Sequence, residues 1–195
     1  KKEDDVINEI HKSQPKRETC KNCTVSIGSI DFVKQGISYS ICVECGHLNG
    51  LYADTDKFCE MIYTSDDVNY LKNYSANDMA SFKERVQKVY APKADFLFES
   101  LRNLGESPER LSYADIGAGL GFFVSALRNK GCESVTGWDV SEENVKIANT
   151  MIGEDLVKYH SLSLHRNLKW PVEADVVSMI GVLEHMQNPR EIVKA

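Results

Sequence analysis

The chain has 195 residues, 42% of them hydrophobic, and a formal net charge of −6, enough for one substantial core plus a small additional module. The negative balance argues against a protein that grips phosphate backbones. No apolar run is long enough to span a membrane, and no export signal is visible, so the expectation is a cytoplasmic protein.

Residues 1–18 read as an N-terminal tail or helix. Lys12, Lys16, Arg17 and Lys21 cluster near its end, and a solvated charged edge is the simpler reading than a basic binding patch. Residues 19–50 form the first module. Cys20-Lys21-Asn22-Cys23 and Cys42-Val43-Glu44-Cys45-Gly46 are two Cys-x-x-Cys pairs separated by eighteen residues, the spacing of a two-knuckle zinc site. Each pair puts two thiolates on one tight turn, and Gly46 suits the backbone turn of the second. The alternation of Ile37, Tyr39 and Ile41 in the spacer suggests a short hairpin. Four thiolates make a closed, structural Zn2+ site, with disulfides or iron as the alternatives. His47 is not needed as a ligand, and Cys59 and Cys132 are expected to be free, buried thiols.

Residues 51–107 read as a helical linker or lid. Tyr63, Tyr70 and Tyr74 surround Leu71 near a helix over residues 66–74. Asn77-Asp78 caps a helix from Met79 to Tyr90, and Pro92 restarts the next one, with Phe96, Leu97, Leu101 and Leu104 as its apolar stripe.

Residues 108–195 carry the cofactor signature. Ala114-Asp115-Ile116-Gly117-Ala118-Gly119-Leu120-Gly121-Phe122-Phe123 reads as a strand ending in a glycine turn that feeds a helix, a place for a nucleotide-like cofactor. The dinucleotide fingerprint needs its third glycine where Phe122 stands, which counts against NAD. Val135 to Asp139 reads as a second strand whose terminal acid, about 20 residues past the glycines, can accept both hydroxyls of a ribose. Ser141-Glu142-Glu143 caps a helix to about Met151, Leu156 to Leu162 supplies a third strand, and Ala174 to Ile180 is an apolar fourth strand. The expected sheet is parallel with order 3-2-1-4.

The pattern Asp-x-Gly-x-Gly-x-Gly resembles motif I of class I S-adenosylmethionine (SAM)-dependent methyltransferases. Gly181-Val182-Leu183-Glu184-His185-Met186-Gln187-Asn188-Pro189 is similar to the segment after strand four in many small-molecule members, where it closes one wall of the SAM site. The resemblance implies an α/β Rossmann-like fold and SAM as cofactor. It implies cofactor contacts by Asp115, Gly117, Ala118, Gly119, Gly121, Asp139 and Val140. Glu184 and His185 become the candidates for catalysis, in a wall or substrate-contact role first. A cysteine module, a Tyr-bearing linker and this core in that order resemble the zinc-binding methyltransferases of sugar and polysaccharide biosynthesis, including deoxysugar C-methyltransferases. That likeness implies a nucleotide-linked sugar or glycan precursor as acceptor. An RNA methyltransferase and a non-catalytic SAM-binding protein are the rival readings. The family's sheet has seven strands, so strands five to seven and a dedicated base are expected beyond residue 195. If the chain instead stops at Ala195, strand four is an exposed edge, and limited solubility or pairing with another chain is expected.

Overall fold

The structure, a computed structural model, describes residues 2–55, 57–58, 78–160, 173–186 and 189–194. The helix expected over residues 66–74 with its tyrosines, Cys59, and the end of the third expected strand lie outside the described residues. The chain forms two compact units. Residues up to 58 and from 183 onward belong to the first, and residues 78–160 and 173–182 to the second.

The first unit opens with helix α1 (Lys2–Lys12), so the N-terminal segment is a helix rather than a tail. Strands β1 (Phe32–Lys34), β2 (Ile37–Ile41) and β3 (Leu48–Gly50) form an antiparallel sheet in that order. The hairpin expected in the spacer is present as β1–β2, and β3 extends it to a three-stranded meander, but the simple alternation fails: Ser40 is buried and Ile41 exposed. The unit also holds a short 3-10 turn (Leu183–His185) and helix α6 (Pro189–Lys194).

In the second unit, Asp78 caps α2 (Met79–Arg85) by accepting from the Ser81 N–H at 2.8 Å. The expected break before Pro92 does not occur. A π-helical turn (Val86–Tyr90) carries the helix directly into α3 (Ala91–Asn103), and the Ala91 N–H reaches back five residues to the Val86 carbonyl. Pro92 has no N–H to continue an α-helical ladder, and the wider turn absorbs that loss. The turn brings Phe82 and Tyr90 onto the Phe122 ring at 5.0 and 5.3 Å.

A four-stranded parallel sheet follows, with β4 (Tyr113–Ile116), β5 (Val135–Asp139), β6 (Val157–Tyr159) and β7 (Val176–Ser178) in the order β6-β5-β4-β7. This is the expected 3-2-1-4 order. Central β4 is buried throughout, as a strand covered on both faces must be. Helix α4 (Phe122–Asn129) joins β4 to β5, and α5 (Glu142–Ile152) joins β5 to β6. Ser141 caps α5 through the Asn144 N–H, and Gly153, at φ +81°, ends it. Phe82, Val86, Phe98, Tyr113, Phe122, Val124, Leu127, Val135 and Val157 are among the residues of one continuous apolar core. Cys132 lies buried within it as a free thiol.

Candidate cofactor site and four-cysteine centre

The glycine loop joins β4 to α4 at the carboxyl edge of the sheet, where a parallel sheet leaves its binding crevice. Gly117, Gly119 and Gly121 all have positive φ, at +70°, +54° and +74°, yet they serve different ends. A Cβ on Gly117 would lie 2.4 Å from Val182 Cγ2, and one on Gly121 would lie 2.8 Å from Ile152 Cδ1 and 3.1 Å from Ala148 Cβ. These two glycines permit close packing. Only a Cβ on Gly119 would meet nothing within 4 Å. Of the three, Gly119 alone faces open space. Ala118 is buried, and Gly137 on β5 is a glycine because a Cβ there would lie 2.8 Å from Ala118 Cβ. A periodicity reading passes over Gly137, since what requires it is the close approach of Ala118, Val124 and Val157 from three other segments.

Asp139, at the end of β5, is only 6% exposed. Its carboxylate accepts from the Gly119 N–H at 2.7 Å, the Ser141 N–H at 2.9 Å and Asn144 Nδ2 at 3.3 Å. The sequence reading placed the acid beside the loop, and the structure ties the two together directly. Val140, the next residue, is exposed. Asp115 is 3% exposed and accepts from Ser178 Oγ on β7 at 2.6 Å. Burial pushes its carboxyl up to about 7, the Ser178 hydroxyl opposes that rise, and the nearby Asp139 charge adds to it. Ser178 and Asn144 had no motif to mark them.

Glu184 is exposed and His185 half-buried, in the 3-10 turn of the first unit. Burial lowers the His185 pKa, Glu184 and Asp54 pull it back, and Lys21 presses it further down. Val182, which packs on Gly117, immediately precedes this turn in the chain.

The four cysteine sulfurs all lie within 4.8 Å of one another, with Cys20–Cys45 at 3.7 Å and Cys23–Cys42 at 3.5 Å. Sulfurs placed about 2.3 Å from one tetrahedral ion stand about 3.8 Å apart, so the set fits such an ion. The spacing is well beyond a disulfide bond of about 2.05 Å. The two knuckles repeat one backbone design. Cys20 and Cys42 each donate to the carbonyl five residues on, Val25 and His47, and accept from the N–H four residues on, Thr24 and Gly46. Thr24 and Gly46 both have left-handed φ, at +64° and +70°.

Asn49, buried in β3, sends Nδ2 to Cys20 Sγ at 3.6 Å and accepts the Lys21 N–H at 2.9 Å. Burial opposes ionisation of Cys20, but the amides of Cys23 and Asn22 and the Asn49 side chain outweigh it and bring the thiol to about 6. Cys23 moves the other way: against a bond from the Val25 backbone, which lowers it, burial and the neighbouring Cys42, Cys45 and Cys20 sulfurs push it up to about 12, so the thiols of the cluster titrate as one coupled set.

Of the four basic residues near the first knuckle, Lys16 is exposed as a solvated edge requires, whereas Arg17 and Lys21 are neither solvated nor free. Arg17 Nη2 and Lys21 Nζ both reach Asp54 Oδ2, at 3.0 and 2.7 Å, and His11 lies 3.7 Å from Oδ1. Asp54 carried no signal in the sequence, because its partners lie 33 and 37 residues away.

The model of the family described as "Methyltransferase domain" matches residues 82–195. The ubiquinone biosynthesis O-methyltransferase of Idiomarina loihiensis is 26% identical over 148 residues, covering 68% of this chain and 59% of that protein. The corresponding enzyme of Thiobacillus denitrificans is 28% identical over 140 residues, covering 64% and 58%. The chain thus spans somewhat under 60% of the length of these curated relatives. Among solved structures, the plantazolicin methyltransferase BpumL, in complex with a monoazolic desmethylPZN analog and SAH, shares the fold. Its TM-score is 0.51 at 17% identity, over 70% of this chain and 50% of that one. Among the described residues no helix is long and apolar enough to cross a membrane. The glycine loop bonded to the strand-end acid, the 3-2-1-4 parallel sheet and the family match over more than half its length agree: the chain belongs to the methyltransferase-domain family.

Proposed function

We propose that this chain carries the cofactor-binding half of a SAM-dependent methyltransferase acting on a small molecule, with a structural zinc ion held by Cys20, Cys23, Cys42 and Cys45. The observation that carries the reading is Gly119. It has left-handed φ, open space where a side chain would stand, and an N–H on the Asp139 carboxylate.

SAM, when bound, would supply an electrophilic sulfonium methyl group to a nucleophile on the acceptor. The protein's part is orientation and exclusion of water. Asp139 accepts the ribose hydroxyls. A carboxylate offers about four acceptor positions, and three protein donors already use Asp139, so ribose binding competes with the Gly119 N–H. The backbone of the Gly117 to Gly121 loop, open at Gly119, would face the amino-acid end of the cofactor, Asp115 would supply a carboxyl beneath that loop, and Val140 would flank the acid. Glu184 and His185 are kept as the candidates for contact with the acceptor. His185, depressed by burial, stays neutral at neutral pH and can accept a proton where the acceptor must lose one.

The acceptor class rests on two lines that diverge. The order of modules favours a nucleotide-linked sugar, whereas the curated relatives bear the name ubiquinone biosynthesis O-methyltransferase, which favours a hydroxyl on a quinone precursor. Both are small molecules. An RNA acceptor is disfavoured, because Arg17 and Lys21 are committed to Asp54.

The test is calorimetry with S-adenosylhomocysteine followed by transfer from labelled SAM to phenolic quinone precursors, nucleotide sugars and RNA. Binding, with label moving to a small molecule, is the expected result. Binding to the wild type that survives Asp139→Ala unchanged would remove the main support.

A further inference from the structure

Lys21 follows the first cysteine ligand, and the knuckle directs it. Its N–H is held by Asn49, whose amide also contacts Cys20 Sγ. Its side chain is only 7% exposed, which for an ammonium requires partners. It has two: Nζ donates to Asp54 Oδ2 at 2.7 Å and to the Glu184 carbonyl at 3.0 Å. Asp54 is itself fixed by Arg17, which also donates to the Gly50 and Tyr52 carbonyls. Glu184 lies within the 3-10 turn Leu183–His185, whose own closing bond is Met186 N–H to the Leu183 carbonyl at 3.2 Å. So short a turn holds itself weakly, and a cation at its carbonyl end is favourable.

We propose that Lys21 is a positioning residue that ties the Glu184–His185 turn to the four-cysteine centre, so that the ion held by the cysteines governs how firmly this turn is placed. The coupling rests on the zinc reading of that centre. Through the tether a structural ion acts on residues 163 positions away in the chain, and loss of the metal loosens the segment that bears both candidate catalytic side chains.

The experiment is hydrogen exchange by mass spectrometry, with zinc content measured in parallel, on full-length wild type, Lys21→Met, Lys21→Arg and Asp54→Asn. In Lys21→Met, exchange over residues 183–186 should rise about tenfold, as loss of a hydrogen bond from a charged donor implies, while the knuckle amides and zinc content hold. Lys21→Arg should restore most of the protection. Chelation of the wild type should free the knuckles and the turn together, and chelation of Lys21→Met should add nothing at the turn. If Lys21→Met loses zinc, Asp54→Asn, which leaves the knuckles unaltered, must speed exchange at the turn. Unchanged exchange over 183–186 in zinc-loaded Lys21→Met, or in zinc-loaded Asp54→Asn where the first variant has lost its metal, overturns the tether while leaving the zinc reading intact. Wild-type protein purified without zinc overturns the zinc reading, and the metal coupling with it.

Discussion

The cysteine unit and the sheet unit place their working residues by opposite means. In the cysteine unit, Val25, Phe32, Val33, Ile41, Val43 and Leu48 are all exposed, and among the described residues the buried apolar ones are Cys20, Ile37, Cys42, Phe58, Met186 and Ile192. So little buried surface does not hold three short strands in register, and the geometry comes from the sulfur cluster and the ion pairs around Asp54. In the sheet unit a continuous apolar core holds β4 and β5, and the polar site is a thin layer at the strand ends. Position is supplied by ligands and charges in the first unit and by packing in the second. The first should therefore respond to metal and the second to volume.

The largest effect expected is on the cysteine unit. Cys42→Ser should reduce bound zinc from one equivalent to almost none and unfold that unit, since structural zinc in small modules contributes on the order of 10 kcal/mol. The melting of the sheet unit should barely move. Elemental analysis with exchange mapping checks this, and simultaneous melting of both units would break the comparison.

Next comes the cofactor site. Gly119→Val should abolish binding of S-adenosylhomocysteine, and Asp139→Ala should cost roughly 2–4 kcal/mol of affinity, both read by calorimetry. Asp139→Ala also strands the N–H groups of Gly119 and Ser141, so thermal melting should fall with it.

The glycines separate packing from binding. Gly121→Ala should destabilise the sheet unit by about 2–4 kcal/mol, combining overpacking against Ile152 and Ala148 with left-handed strain. Gly119→Ala meets only the strain, about 1–2 kcal/mol, and its larger loss should appear in ligand affinity. Equal stability losses at the two positions would contradict the division of roles read from the loop.

Asp115 gives a pH signature to the packed unit. Its carboxyl is raised from 3.8 to about 7 on folding, so between those values the folded state keeps a proton that the unfolded state has released. Its contribution is complete below about pH 4, falls as pH rises through the window and levels off above about 7. Asp115→Asn should remove that slope from denaturation curves recorded between pH 4 and 8. A wild-type slope identical to that of the variant would show that the carboxyl is not held neutral.

The smallest effect concerns the two knuckles. Thr24 occupies with φ +64° the place that Gly46 holds in the second knuckle. Thr24→Gly should raise the stability of the cysteine unit by up to about 1 kcal/mol, the relief of left-handed strain less the greater chain entropy of glycine. The midpoint of zinc removal by a competing chelator is the readout.

Much of the site was legible because its signals are local. A Cys-x-x-Cys pair, a strand ending in glycines and an acid twenty residues on are patterns within one turn or one crossover, and chain geometry allows few other uses for them. Strand order followed from the same source, since short parallel crossovers leave little choice of neighbour. The π turn was missed because Pro92 signals only that an α-helical bond is lost, and the stacking of Phe82 and Tyr90 on Phe122 keeps the helix running.

By itself the sequence determined the family fold, the sulfur set and the pairing of glycine loop with Asp139, all of which depend on spacing along the backbone. The tertiary structure alone decided that Gly119 faces open space while Gly117 and Gly121 serve packing, that Ser178 bonds Asp115, and that Lys21 reaches Glu184. Each of these depends on which atoms from distant segments arrive at one point, and a buried charge or a missing Cβ acquires its role only from the neighbours that surround it.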